Sequence, residues 1–126
     1  MEKPHKRLRA WQVAMEIVQD IYRNTEEFPA TERFGIVSQM KRAAVSIPSN
    51  LAEGAARRSP KEFAQFLHIA QASLSELDTH IELCVRLGFH GKVEAEALDA
   101  KLLEVDKMIS GLIRSTKTKP PYSPYA

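Results

Sequence analysis

Ser59-Pro60-Lys61-Glu62-Phe63 opens the stretch whose reading decides the fold. A serine that can cap a helix, a proline at the first helical position and a glutamate three residues after the serine make a capping box, the clearest local start signal in the chain. Behind it Phe63, Leu67, Ala70, Leu74, Leu77, Ile81 and Cys84 recur in alternating steps of four and three, a heptad seam. The spacing predicts a long helix from Pro60, stopped by Gly88 after Leu87.

Reading outward from that helix, the same period appears on both sides. Leu98, Leu102, Val105, Ile109 and Leu112 predict a helix from about Val93 to Ser115, and Pro120-Pro121-Tyr122-Ser123-Pro124-Tyr125 reads as an extended tail. Toward the N-terminus, Leu8, Trp11, Ala14, Val18 and Ile21 predict a first helix over roughly Leu8 to Thr25. It stops ahead of Phe28-Pro29, because proline disfavours helical dihedrals in the residue before it. Thr31 can cap a second helix with Glu32 in its first turn. The core series of that helix is Phe34, Val37, Met40, Ala44, Ile47, Leu51 and Ala55. Pro48 removes the bond to the Ala44 carbonyl, which predicts a kink and not an end, with Ser46, Ser49 and Asn50 near the freed groups.

Four long helices, short connections and no strand pattern predict an all-α fold, an antiparallel up-and-down four-helix bundle with a kinked second helix. The 126 residues suit one domain, 1–126, with 1–7 and 116–126 as flexible or docking termini. The apolar arc of helix two spans about 200°, more than two bundle neighbours need. That surplus predicts assembly into a homo-oligomer through Ile36, Ala43, Ile47, Asn50 and Gly54.

The formal net charge of +2 conceals a segregation of charge. Arg33 to Lys61 carries a surplus of five positive charges, Glu62 to Asp106 a surplus of six negative ones, and both ends of the chain are basic. Two readings stay open: the basic segment attracts a polyanion, or opposite charges meet within one bundle or between subunits. Lys41, Arg42, Arg57 and Arg58 are the candidate nucleic-acid-binding residues. The polar face of helix two, with Gln39, Ser46, Asn50 and Glu53, is either a binding face or a solvated one.

Catalytic signatures are sparse. Di-iron bundles need Glu-x-x-His pairs on facing helices, and the one literal match, Glu2-x-x-His5, contains Pro4 and sits in a charged terminus. Glu76 and His80 share a helix face and read as a solvated or intersubunit hydrogen bond. The five glycines form no phosphate-binding loop. Ser38-x-x-Lys41 lacks the partner motifs of serine acyl-transferases, and Cys84 fills a seam position where an inert thiol is the default. No catalytic residue, metal or cofactor is expected. With one cysteine, a charged N-terminus and no apolar run of the ~20 residues that cross a bilayer, a cytoplasmic protein without a membrane partner is expected.

Several strings carry a family resemblance. Ile21-Tyr22-x-x-Thr25-x-x-Phe28-Pro29-x-x-Glu32-x-Phe34-Gly35, Gln39-x-x-Arg42-Ala43, Ser46-Ile47-Pro48-x-Asn50-Leu51-Ala52-Glu53-Gly54 and Glu62-Phe63-x-x-Phe66-Leu67-x-Ile69-Ala70 resemble the four-helix-bundle family that includes proteins encoded in intervening sequences of 23S ribosomal RNA genes. Lys41 stands where members commonly show a second arginine, and Gln71-Ala72 replaces a small or glycine-containing pair. The resemblance implies a bundle, a ring of five subunits around a channel, and a bacterial cytoplasmic protein without known catalysis. The chain is also similar to the accessory variability determinant of diversity-generating retroelements, which implies a nucleic-acid-binding role. The expected function is therefore a non-enzymatic oligomeric scaffold for RNA, DNA or a ribonucleoprotein. The alternatives are a protein–protein adaptor and a small-molecule enzyme using the polar face of helix two.

Overall fold

The capping box closes as the sequence dictates: in the computed structural model, which describes residues 3–118, the Glu62 N–H donates to Ser59 Oγ at 3.3 Å. The helix it starts is the third of four, α1 (Arg9–Asn24), α2 (Ile36–Ala55), α3 (Pro60–Arg86) and α4 (Lys92–Thr118), and no strand occurs among the described residues. Short 3-10 turns occupy Pro4–Arg7, Thr25–Glu27 and Ala30–Glu32. The α4 helix passes the expected Ser115 end, and Pro120 to Tyr125 lie outside the described residues.

Each helix packs on its sequence neighbours, and α4 closes the square against α1. The paired contacts fix an antiparallel register. Along α2 and α3, Cys84 meets Met40, Ser73 meets Ser46 and Phe63 meets Gly54. The core between the four helices holds Ile17, Ile21, Met40, Ile47, Leu67, Leu77, Leu98 and Ile109, all fully buried.

The α3–α4 connection is a Schellman turn. Gly88, at φ 81°, takes the left-handed position that side chains resist, while Phe89 N–H donates to Cys84 O at 2.9 Å and Gly88 N–H to Val85 O at 3.1 Å. Beside it, the buried His90 ring stands edge-on to Phe28, and its Nε2 lies 3.4 Å from Asn24 Nδ2. These contacts tie the end of α1 to the start of α4.

The start of α2 departs from expectation. Thr31 caps nothing: Ala30–Glu32 forms its own turn, the chain leaves helical geometry at Gly35, and α2 begins at Ile36. Phe34, expected in the core, is 90% exposed because it precedes the helix and is freed from its period. Past Pro48 the helix continues without a break to Ala55. Next to the proline, Asn50 Nδ2 donates to Ser46 O at 2.8 Å and to Ser46 Oγ at 3.0 Å.

Much of the wide apolar arc of α2 is used inside the chain. Ala43, Ile47 and Gly54, expected at an interface between subunits, are buried in the monomer. The arc is covered by α1 on one side, α3 on the other, and the Pro4–Arg7 turn as well. A Cβ on Gly54 would stand 2.8 Å from Phe63 Cδ1 and 2.9 Å from Phe66 Cβ, so the close approach this glycine permits is to α3 of its own chain.

Candidate functional site

The four candidate nucleic-acid residues do not converge. Lys41 and Arg42 stand in the first half of α2, whereas Arg57 and Arg58 follow its end, roughly 20 Å farther along the axis at 1.5 Å per residue. Lys41 is half-buried with its Nζ 4.5 Å above the Tyr22 ring, a cation–π contact across the α1–α2 groove. Arg42 points to solvent. Arg57 pairs with Glu53 at 3.1 Å and lies 5.0 Å above the Phe66 ring, while Arg58 is exposed beside it.

Topology gives Arg57 and Arg58 other company. In an up-and-down bundle the odd helices start where the even helices finish. The turn holding Arg57, Arg58 and Lys61 therefore shares one end of the bundle with the basic N-terminal segment (Lys6, Arg9) and with Arg114 and Lys117 of α4. Sequence reasoning noted both basic termini but did not join them to this turn; the signal available was the parity of the helix ends.

The opposite sign collects on another face. Asp78, Asp99 and Asp106 line a groove between α3 and α4 with Leu102 and Leu103. Burial, with Asp99 and Glu82 nearby, pushes the Asp78 carboxyl above its ordinary range.

Beside α2 lie two apolar flanks. On the first, Trp11, Met15, Val18 and Tyr22 repeat along α1 opposite Lys41, Val45, Pro48 and Ala52 on α2, and most of these line one open groove. Met15, Tyr22 and Val45 are exposed there. On the second flank, the α3 stripe through Ser73 also carries Ile69, Glu76, His80, Leu83 and Leu87, spaced by threes and fours. Ile69, Leu83 and Leu87 are exposed, as is Phe34 ahead of α2. Of the expected interface residues, Ile36 and Asn50 are the two that are half-buried here.

Polar groups on this second flank are largely occupied within the chain. A one-way series of donors runs from Asn50 Nδ2 through Ser46 Oγ and Ser73 Oγ, 2.8 Å apart, to the Ile69 carbonyl. Asn50, expected at the interface between subunits, commits its amide to α2 and, through Ser46, to α3. Farther along, the buried His80 has Nε2 3.8 Å from Glu76 Oε2, and its Nδ1 meets no hydrogen-bond partner.

The remaining sequence candidates have ordinary surroundings. Cys84 is buried against Met40 Sδ at 3.7 Å, and burial, with Glu32 nearby, raises its thiol pKa, away from the reactive thiolate. Glu53 is exposed and committed to Arg57. Among the described residues no group of three His, Cys, Asp or Glu side chains is placed to hold a metal ion. No described helix is long and apolar enough to cross a membrane.

Comparison with known proteins follows the same lines. The sequence profile of the 23S rRNA-intervening sequence protein family matches residues 6–111. A crystal structure of a protein of unknown function from the S23 ribosomal protein family of Bacteroides thetaiotaomicron superposes with a TM-score of 0.76. It is 22% identical, and the match covers 83% of this chain and 98% of that one, a likeness of fold. No curated protein matches the chain.

Proposed function

The chain belongs to the 23S rRNA-intervening sequence protein family, and from that premise we propose that it is a non-enzymatic, cytoplasmic homo-oligomeric scaffold that holds RNA, DNA or a ribonucleoprotein. One observation carries the reading: large apolar side chains remain exposed on both flanks of α2, Met15 and Val45 on one and Ile69, Leu83 and Leu87 on the other. Isolated exposed leucines are ordinary, but rows at helical spacing on the two sides of one helix suit contact with further copies. A subunit with two different sticky flanks joins its neighbours head to tail, the arrangement that closes into rings. Five is the ring size that the family resemblance implies.

The contacts are thus assigned to the flanks and not to the arc of α2 itself, whose Ala43, Ile47 and Gly54 are already covered. Nucleic acid is the favoured cargo because basic residues from separate parts of the chain gather at one end of the bundle. The small-molecule alternative, which would use the polar face of helix two, is less favoured because Glu53 on that face stands in solvent paired with Arg57.

Sedimentation equilibrium at micromolar concentration tests the assembly. A mass several times 14.2 kDa is expected, and a particle of 14.2 kDa would overturn the proposal. Affinity capture from cells tests the cargo: nucleic acid retained on the protein after washing supports it, and protein partners resistant to nuclease favour the adaptor.

A further inference from the structure

We propose that the basic end of the bundle, formed by Lys6 and Arg9, the Arg58 and Lys61 turn, and Arg114 and Lys117 of α4, is a contact surface for the phosphate backbone of nucleic acid. The inference rests on the nucleic-acid half of the reading above and gives it a location away from Lys41 and Arg42.

Three cationic segments, distant in sequence, reach this end because α1 and α3 begin there and α2 and α4 finish there. Lys6, Arg9, Arg58, Lys61, Arg114 and Lys117 are all exposed. Among the described residues the carboxylates nearby are Glu53, engaged by Arg57, Glu62 in the first turn of α3, and Glu104, 3.8 Å from Arg9 in an exposed, weak pair.

A second, independent observation is an electrostatic conflict at the start of α1. A helix N-terminus carries partial positive charge and favours acids, yet the first turn of α1 contains no acid, no side chain caps it, and Arg9 and Lys6 crowd it. By contrast α3 begins with a serine cap and Glu62. Among the described residues the weak Glu104 pair of Arg9 is the carboxylate contact recorded at this turn, and an anion set against α1 would relieve the conflict.

Shape agrees with charge. Between Lys61 and Lys117 runs a groove of about 420 Å³ floored by Pro60, Ala64 and Ile113, with His68 on its wall. An apolar floor between cationic rims suits a sugar or base whose phosphates lie on either side. At helix spacings of about 10 Å the end is roughly 20 Å across, the length of about six nucleotides at 3.4 Å each. An acidic protein is the less suited occupant. Protein partners dock around a buried aromatic or aliphatic anchor, and the large exposed apolar residues lie on the two flanks of α2, at Leu103 in the α3–α4 groove, and at the far end, where Phe34 and Val93 are.

Fluorescence anisotropy on the full chain with a labelled RNA strand of about 20 nucleotides tests the assignment. The log–log dependence of affinity on salt is expected to have a slope of about −2 or steeper, equivalent to about three phosphate contacts. The triple variant Arg58→Glu, Lys61→Glu, Lys117→Glu should lose at least about tenfold in affinity and flatten that slope. Arg23→Glu, Arg42→Glu, Lys92→Glu, all exposed and outside the α1–α2 groove, changes net charge equally and should stay within about twofold. Should the first variant misfold by circular dichroism, the glutamine triple at the same positions replaces it. Equal losses in the two triples, or a loss confined to the second, would refute the location while leaving RNA binding intact. An unmodified protein that retains no RNA even near about 50 mM salt would instead remove the nucleic-acid reading itself. Poly-glutamate competing as well as unlabelled RNA would make the end a protein-binding surface and overturn the proposal.

Discussion

A methyl group at position 54 would enter the space of Phe63 and Phe66, so a single missing side chain sets the distance between α2 and α3. Gly54→Ala must push the Phe63 ring, which is buried, or part the helices. Overpacking of this kind costs about 1–3 kcal/mol, partly offset by the better helix propensity of alanine. Urea unfolding at neutral pH should show the midpoint lowered with its slope retained; a variant as stable as the parent would mean the phenylalanines give way freely. A test that places a charge at Gly54 to break subunits apart would therefore strike the monomer first. Similar reasoning applies to Asn50, whose amide already serves Ser46.

Between elements, the α1–α4 contact has an ionic clamp that the other three pairs lack among the described residues. Lys101 Nζ donates to Asp20 Oδ2 at 2.7 Å and lies 3.6 Å from Glu16 Oε1, and the bond to Asp20 holds its ammonium pKa above the ordinary 10.5 against the opposing effect of burial. A pKa raised on folding stabilises the protein fully below the unfolded value, and the gain fades as pH rises through the folded one. Lys101→Met keeps the apolar stem and removes the charge. Because the lysine is one-third exposed, the loss should be about 0.5–1 kcal/mol near neutrality. The gap from the parent should close only above about pH 10.5; a gap that stays constant beyond that range would assign it to packing. Helix period made all four elements legible, since each carries its own apolar stripe. It could not say who covers a stripe. The breadth of α2 predicts surplus for a partner; α1, α3 and the Pro4–Arg7 turn cover Ala43, Ile47 and Gly54, while Val45 stays exposed and Ile36 half-buried. Phe34 departs from its expected core position for a local reason: an apolar residue in period before a glycine looks the same whether or not the helix has begun, and here α2 begins after Gly35. The ion clamp, joining residues far apart in sequence, left no periodic trace.

At the scale of the molecule, the bundle has direction: Lys6, Arg58, Lys61 and Lys117 at one end, the Schellman turn and exposed Phe34 at the other, and an aspartate-lined groove along α3 and α4. Direction matters once copies associate. Rotation about a single axis repeats every subunit with the same sense, so a cyclic ring whose bundles lean along that axis gathers all basic ends on one rim. A two-fold or dihedral assembly alternates them and keeps no such rim. Several weak phosphate contacts on one rim act on one strand together, and linked sites raise affinity by about 10²–10⁴ over the single site. The apolar flank between α1 and α2 offers the means to separate these cases. Met15→Glu with Val45→Glu places two charges in a groove that is exposed in the monomer, so the fold should survive while assembly fails. With a cyclic assembly, that variant should run as a 14.2 kDa species and bind a long RNA strand at least about 100-fold more weakly than the parent, although its basic end is untouched. Monomeric protein binding long RNA as tightly as the parent would show that each end acts alone and that the rim does not exist.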